Sequence, residues 1–488
     1  MKSLQTRKGA YVDSVALMQV STRVAALDGV ESALVAMATD LNVELATGMG
    51  FEVPAGVAPN EMLVAVAATS EEALTAALGS VDALLAEAGR PTGSGFGSAP
   101  PPVTVAAAAR TVERPAVALV STPGEYAFAD AVDALDAGLH TMLFSDNVPV
   151  AQEVALKKRA AAAGVLLMGP DCGTAVIGGV GLGFANVVRP GPVGIVAASG
   201  TGAQHLMTLL DGAGIGVSHC LGVGGRDLSE PVGGRSTLAA LDLLAADEAT
   251  THIVVVSKPP APAVAAAVRA HAESLGKPVT FGLLGPGQPT LTDTAATVAE
   301  AVGATWAAPE HWTGAVDRAR PGYLRGLFSG GTLCDEAMLL VSAKLGRVSS
   351  NIPLDPAWSL GHDLASVEHT MIDFGDDQLT QGRPHPMIDG SLRVERMTTE
   401  AGDGTCGLLL LDVVLGLGAA ADPATELAPA IRVATAEGIP VVVALVGTRD
   451  DPQDLHRQAA TLNEAGAWVF LSNARAASCA LDLLGATR

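Results

Sequence analysis

One arrangement occurs twice in this sequence: an apolar strand runs through a Ser-Gly turn directly into a helix. In the first copy the strand begins at Val193 and is followed by Ser199-Gly-Thr-Gly202. In the second, Ser329-Gly-Gly-Thr332 follows the strand that begins at Tyr323. Apolar strands alternating with helices are typical of α/β folds with parallel sheets. The repeated turn therefore predicts two related α/β domains.

The same two turns predict an anion-binding site. A glycine turn at a helix start leaves N–H groups unpaired, at the positive end of the helix dipole, and allows an anion to approach closely. One such turn also suits any tight strand-to-helix connection, but two copies favour a site built from paired helix ends. The residues that we expect to bind phosphate or substrate here are Ser199, Gly200, Thr201, Gly202, Gln204, Ser329, Gly330, Gly331 and Thr332.

The pattern of strands, helices and breakers predicts an α/β chain of several domains. We expect the strand ends of the last two domains to face one another. The predicted segments are a ferredoxin-like α+β domain at 1–90, a Gly- and Pro-rich linker at 91–103, a Rossmann-like domain at 104–190, a flavodoxin-like domain at 191–305, a connector at 306–320, and a second flavodoxin-like domain at 321–488, the last three domains having parallel sheets.

Charge and composition exclude several classes of protein. The net charge of −22 argues against nucleic acid and anionic membranes as partners, because both reward clustered Lys and Arg. Five scattered cysteines without a C-x-x-C motif predict neither a disulfide framework nor a zinc site. No signal core or membrane-length apolar stretch occurs. We therefore expect a cytoplasmic protein that uses no metal.

Two further strand ends of the first flavodoxin-like domain carry charged residues. Arg226 and Asp227 lie in a glycine-rich loop, where the Arg could clamp an anion and the Asp could take a proton. A solvated turn is the alternative. Lys258 also follows a strand, and either contacts the ligand or is simply an exposed loop lysine.

The loop at 372–389 in the last domain concentrates charged and catalytic residue types. Arg383 suits capture of a phosphate or carboxylate, and His385 suits general acid or base chemistry. Asp376 and Asp377 could instead bind a divalent cation through water. The predicted catalytic residues are therefore His385, Asp227 and Arg383.

The chain resembles the FdrA family of the succinyl-CoA synthetase superfamily over nearly its whole length. By this resemblance, 104–190 is similar to a CoA-binding domain, 191–305 to the ligase domain of the α subunit, and 321–488 to the C-terminal domain of the β subunit. The motifs that carry the resemblance are Gly9–Met18, Gly169–Thr174, Ala198–Gly202, Gly224–Glu230, Ser329–Glu336, Gln381–Asp389 and Leu411–Gly416.

The resemblance also implies a reaction. Ligases of the superfamily carry a phosphorylated histidine, but the corresponding stretch here, Leu284–Thr290, has no histidine, and the chain has no ATP-grasp portion. The FdrA family includes AllF, which belongs to the oxamate carbamoyltransferase of allantoin and purine breakdown. The resemblance therefore implies that oxalurate and phosphate give oxamate and carbamoyl phosphate, with AllG- and AllH-type partner subunits and no required cofactor.

Two alternatives stay open. The chain could be an acyl-CoA synthetase component that binds CoA and takes its nucleotide site and phosphohistidine from a partner. It could also be a non-catalytic scaffold for partner subunits.

Overall fold

The computed structural model describes residues 1–8, 14–54, 56–58, 61–88, 102–380 and 383–486. The chain divides into two compact units, Met1–Pro101 and Pro102–Arg488. Apart from 102 and 103, the predicted linker lies outside the described residues. So do residues 9–13 and 381–382, which belong to two of the motifs quoted above.

The first unit is a small α+β domain around a three-stranded antiparallel sheet in the order β1-β3-β2. The central strand is buried along its length, because helices cover both of its faces. Val64 and Val66 pack with the first and third helices, while Leu63 packs with the second. The elements are β1 (Lys2–Arg7), α1 (Ser14–Ala25), β2 (Val30–Met37), α2 (Asp40–Gly48), β3 (Met62–Ala68) and α3 (Glu71–Ala88).

The second unit begins with a three-stranded parallel sheet in the order β4-β5-β6. A hairpin follows, and it lies before the boundary predicted at 190. Its first strand pairs with the next sheet, with Val176 opposite Cys220. The elements are α4 (Val105–Ala109), β4 (Val117–Val120), α5 (Gly124–Asp136), β5 (His140–Leu143), α6 (Val150–Ala163), β6 (Leu167–Met168) and the hairpin strands β7 (Thr174–Ile177) and β8 (Val180–Gly183).

The second sheet has six strands in the order β12-β11-β9-β10-β7-β8. Its four parallel strands follow the flavodoxin-like order, in which the first strand lies between the second and the third. The elements are β9 (Val193–Ala198), α7 (Gly200–Gly212), β10 (Val217–Gly222), α8 (Arg235–Ala246), β11 (His252–Ser257), α9 (Pro262–Ala272), β12 (Val279–Leu283) and α10 (Leu291–Ala301).

The third sheet has seven strands in the order β13-β19-β18-β17-β14-β16-β15, parallel except for β13. The elements are β13 (His311–Trp312), β14 (Tyr323–Phe328), α11 (Gly331–Leu345), β15 (Ser349–Ser350), a 3₁₀ turn (Pro356–Trp358), β16 (Thr370–Asp373), α12 (Asp377–Thr380), α13 (Ser391–Gly402), β17 (Cys406–Val414), α14 (Pro423–Ala436), β18 (Val441–Val446), α15 (Leu455–Glu464), β19 (Trp468–Phe470) and α16 (Asn473–Leu483).

The predicted fold class, α/β with parallel flavodoxin-like sheets, is confirmed. The strands of both large sheets are nearly continuous apolar runs, as expected where helices cover both faces. In such sheets ligands bind beyond the carboxyl ends of the strands, where the strand order reverses. Both Ser-Gly turns lie at such points, after β9 and β14. Within the described residues, we find no helix with the length and apolar character that crossing a bilayer requires.

Candidate functional site

The two Ser-Gly turns lie against each other. The hydroxyl oxygens of Ser199 and Thr332 are 2.6 Å apart and share a buried hydrogen bond. A Cβ added to Gly202 would lie 2.9 Å from Cγ2 of Thr332, and one added to Gly330 would lie 2.8 Å from the side chain of Thr201. Glycine is therefore required at both positions for the helix starts to approach so closely. The structure thus brings together the two turns that the sequence singled out.

An internal carboxylate occupies part of the second turn. Asp412 of β17 accepts hydrogen bonds from the N–H groups of Ser329 (2.7 Å) and Gly330 (2.8 Å), and from the Ser329 hydroxyl (2.9 Å). Ser329 and Gly330 therefore support the turn, and their N–H groups are not available to a substrate as the sequence had suggested. On the first turn, the N–H of Gly202 is likewise taken by Oγ of Ser199, at 2.9 Å.

The N–H groups at the first two positions of α7 and α11 have no acceptor within the described residues, and we call these groups the anion cradle. The first turn of a helix offers its own N–H groups no acceptor. These N–H groups belong to the first two residues, N1 and N2, of α7 and of α11. The positive ends of the two helix dipoles lie on either side of the Ser199–Thr332 hydrogen bond. The cradle consists of the N–H groups of Gly200, Thr201, Gly331 and Thr332.

A buried arginine holds the carboxylate that supports the cradle. Arg393 of α13 lies with Nη1 3.3 Å from Oδ1 of Asp412, and its Nη2 donates to the Asp412 carbonyl at 2.6 Å. Burial raises the pKa of Asp412, although Arg393 and the donors of the turn oppose this effect. Sequence reasoning missed both residues. A single Asp within the apolar run of β17 was the signal that could have identified Asp412.

Lys258 lies at the start of α11, beside the cradle. A Cβ on Gly331 would lie 2.8 Å from Nζ of Lys258 and 2.5 Å from Oδ2 of Asp373. Nζ also pairs with Asp335 at 3.5 Å. Burial disfavours the ammonium form, but the surrounding acidic groups, of which Asp335 and Asp373 contribute most, together raise the pKa of Lys258. The lysine is therefore positively charged at neutral pH.

Two carboxyl groups around Lys258 titrate near neutrality. Asp373 is 4% exposed, and burial raises its pKa to about 7, against the opposing effects of Lys258 and the Gly375 N–H. Asp171 is exposed to solvent, yet the protein around it removes hydration and, with Asp377 and Asp146, raises its pKa to about 7. Perturbed carboxyl groups of this kind cluster at functional sites. Both lie in segments that the sequence had marked, Gly169–Thr174 and 372–389, but neither residue was singled out there.

His385 lies beside the second turn. A Cβ on Gly375 would meet both the Ser329 carbonyl, at 2.6 Å, and Nε2 of His385, at 2.8 Å. Burial and Arg393 lower the pKa of His385 to about 4, so the ring is neutral at pH 7. Because Nδ1 accepts from the Met387 N–H at 3.2 Å, the ring proton is assigned to Nε2.

Arg383 is exposed on the same loop, and its backbone N–H bonds to the Thr380 carbonyl. Its proposed role in anion capture stays a prediction. Among the residues that the structure describes, no group of three or more His, Cys, Asp or Glu could hold a metal ion, so the Asp376–Asp377 pair is not part of such a group.

Asp227 has a structural position instead of a catalytic one. It is fully buried and accepts from Nζ of Lys157 at 2.7 Å and from the hydroxyl of Thr237 at 2.7 Å. The N–H groups of Ser236 and Thr237 also donate to it, at the start of α8. The protein therefore uses its hydrogen-bonding capacity fully, which leaves Asp227 unavailable as the proton carrier that its loop had suggested.

Arg226 and Gln204 are also held by the protein. Arg226 Nε lies 3.1 Å from Glu153 of α6, and its Nη2 donates to the Val148 carbonyl at 2.8 Å. The Gln204 amide is buried and donates to Asn186 at 3.2 Å. These contacts tie neighbouring elements together, so neither side chain is free to clamp an anion in this arrangement.

Sequence comparisons place the chain among proteins related to CoA ligases. Residues 1–101 match the family described as AllF, heavy metal-associated domain, and residues 327–482 match the family described as CoA-ligase. The Escherichia coli protein YahF is 38% identical over an alignment covering 94% of each chain. The subunit alpha 2 of the ADP-forming succinate–CoA ligase from Archaeoglobus fulgidus is 28% identical over 144 residues, which cover 29% of this chain and 49% of that subunit.

Solved structures with a similar arrangement are distant. The dinucleotide-forming acetyl-coenzyme A synthetase 1 of Ca. Korarchaeum cryptofilum, in complex with phosphate and ADP, is 17% identical, covers 81% of this chain and 87% of its own, and has a TM-score of 0.32. The ATP citrate lyase of Methanothrix soehngenii, in complex with citrate and coenzyme A, is 18% identical, covers 39% of this chain and 34% of its own, and has a TM-score of 0.33. At these scores the likeness carries no argument about function.

The expected carbamoyltransferase activity is wrong. The CoA-ligase match over 327–482 and the likeness of part of the chain to succinate–CoA ligase α subunits indicate CoA-ligase-type domains instead. The expectation that no cofactor is required depended on the carbamoyltransferase activity, so it no longer has support. The AllG- and AllH-type partner subunits stay predictions.

Proposed function

We propose that this chain, which belongs to the FdrA family of the succinyl-CoA synthetase superfamily, is the CoA-ligase-type component of an acyl-CoA synthetase. In this role it binds the phosphate and carboxyl groups of its substrates at the anion cradle. The observation that carries the proposal is the 2.6 Å hydrogen bond between Ser199 and Thr332, which joins the starts of α7 and α11.

The residues at the cradle suit acyl transfer between a thioester and an oxygen anion. In such a transfer the oxygen anion adds to the carbonyl carbon and negative charge develops on the carbonyl oxygen. The C–S bond then breaks, the carbonyl re-forms and the thiolate of CoA leaves. Fixed N–H donors aimed at that charge contribute about 3 kcal/mol each in comparable enzymes. Lys258 adds a positive charge beside Gly331, and Nε2–H of His385 is a neutral donor close to the second turn.

A partner chain is part of the proposal. The loop Leu284–Thr290, which follows β12, has no histidine to carry a phosphoryl group, and the sequence has no ATP-grasp portion. A complete synthetase therefore needs a nucleotide site and a phosphohistidine from another protein. We propose AllG- and AllH-type subunits as the first candidates to test for this role.

The experiment is calorimetric titration of the full-length protein with inorganic phosphate, CoA and ATP, each in turn. We expect phosphate and CoA to bind and ATP not to bind. Gly331→Ala should weaken phosphate binding at least ten-fold, because its Cβ would displace Lys258 and Asp373. Gly212→Ala is the matched control, since a Cβ at the end of α7 meets nothing within 4 Å. Tight binding of ATP alone, or unchanged phosphate binding in Gly331→Ala, would contradict the proposal.

A further inference from the structure

A cleft of about 600 Å³ runs beside α11, between that helix, the Leu284–Thr290 loop and the 3₁₀ turn Pro356–Trp358. Its volume is that of a typical small-molecule site. Most of its lining is apolar, including the half-buried side chains of Leu339, Leu340 and Trp358. In the described part of the chain, none of the ring–ring contacts involves Trp358. Because Trp358 lines the cleft and is only half-buried, part of its indole faces the cleft.

Two residues of the cleft wall directly follow the ion pair beside the anion cradle. Pro259 lines the cleft and directly follows Lys258, while Glu336 lines it and directly follows Asp335. Lys258 and Asp335 form the ion pair at the start of α11. The cleft and the cradle thus share one sheet edge, because Ser257 of β11 pairs with Leu283 of β12 immediately before the two lining loops.

The direction of α11 sets the polarity of a ligand in the cleft. The helix begins at the cradle, and its lining residues extend from Glu336 to Lys344, toward the negative end of the helix dipole. At a rise of about 1.5 Å per residue, Glu336 lies about 7.5 Å along the axis from Gly331. An anionic group therefore fits at the cradle, and an uncharged body fits from about 7.5 Å onward.

The charges of the cleft disfavour a polyphosphate. Both carboxylate oxygens of Glu336 accept hydrogen bonds, from the Leu291 N–H at 2.7 Å and from Asn473 at 2.8 Å. The other two charged lining residues, Lys344 and Asp355, are of opposite sign and exposed. A lone exposed lysine does not balance the several negative charges of a nucleotide.

We infer that this cleft holds the apolar part of the carboxylic acid substrate, and that the substrate class is a monocarboxylic acid bearing a ring separated from its carboxyl group by a short chain. This inference rests on the proposed function. The carboxylate lies at the start of α11 beside Lys258, and the ring packs against Trp358 and the adjacent leucines. The loop that lacks a histidine forms one wall of the cleft.

The test compares 4-phenylbutyrate with butyrate, which differ only by the ring, in titrations of the full-length protein. We expect 4-phenylbutyrate to bind at least ten-fold more tightly and to change the fluorescence of Trp358, with Trp358→Phe removing that change. Ala343→Trp should abolish the ten-fold advantage, because Ala343 is an exposed residue of the cleft wall. Ala436→Trp, at an exposed position at the end of α14, is the matched control and should retain the advantage.

Titration of the same variants with inorganic phosphate separates this inference from the proposed function. Phosphate binding that survives in Ala343→Trp, together with loss of the ring advantage, supports the cleft assignment. Equal affinity of the wild-type protein for the two acids, or a ring advantage unaffected by Ala343→Trp, overturns it. Failure of phosphate to bind the wild-type protein would instead refute the proposed function while leaving the ring comparison interpretable.

Discussion

Replacing Asp373 with asparagine should stabilise the protein at alkaline pH. Burial raises the pKa of Asp373 from 3.8 to about 7, so the folded protein holds this proton more tightly than the unfolded chain does. The free energy of unfolding therefore falls as the pH rises between these two values, and this loss is fully present above pH 7. Asn retains an oxygen acceptor for the Gly375 N–H and removes the charge.

The magnitude follows from the shift. A change of about three pKa units corresponds to roughly 4 kcal/mol at pH 8, and more than half of this accumulates between pH 5 and pH 8. Loss of the interaction with Lys258 offsets part of this gain. We therefore expect Asp373→Asn to raise the melting temperature at pH 8 by several degrees, and to raise it much less at pH 5.

Differential scanning calorimetry of the wild-type protein and Asp373→Asn at pH 5, 6, 7 and 8 measures this difference. Asp317→Asn, at an exposed position, is the control and should show no pH-dependent difference. A melting-temperature difference for Asp373→Asn that is constant across this range would show that the Asp373 carboxyl does not lose a proton between pH 5 and pH 8 in the folded protein. A variant that is less stable than the wild-type protein at pH 8 would also contradict the prediction.

Further predictions concern the buried ion pair between Lys157 and Asp227 and the anion cradle. Lys157→Met should cost about 3–5 kcal/mol in thermal or denaturant unfolding, because it leaves Asp227 charged and buried without its cation; a loss below 1 kcal/mol would contradict this. When the pH is lowered from 8 to 6, Asp373 and Asp171 become protonated and lose their charge. Sulfate affinity should then rise by up to ten-fold per pH unit for each carboxyl group protonated. Calorimetric affinities for sulfate that do not vary with pH would exclude this coupling. Gly202→Ala should weaken phosphate binding more than ten-fold while the protein stays folded by circular dichroism, since its Cβ pushes the helix starts apart; unchanged affinity would show that their close approach is unnecessary.

The sheets and turns were predictable because their signals are local. Apolar strands alternate with helices, and Ser199 and Ser329 mark two strand ends that residue types alone identify. The hairpin at β7 and β8 was harder to place, because which sheet a short strand joins depends on distant pairing with β10. The sequence of the hairpin itself does not indicate that its partner is β10.

The chemistry of the site was less predictable, because it depends on which groups already satisfy each other. Asp227 looked like a proton carrier on a glycine-rich loop, but Lys157 from α6, some 70 residues away, holds it. Asp412 and Arg393 support the second turn from two other elements. Asp373 acquires its raised pKa from burial, which no local pattern encodes.

A crystal structure of the protein grown with sulfate tests whether the two helix starts bind an anion together. We expect a sulfate ion within about 2.7–3.2 Å of N–H groups from both helix starts, at Gly200 or Thr201 and at Gly331 or Thr332. Lys258 should lie beside the ion. A structure with sulfate bound elsewhere and none at the cradle, or with Ser199 and Thr332 in separate clefts, would contradict the account.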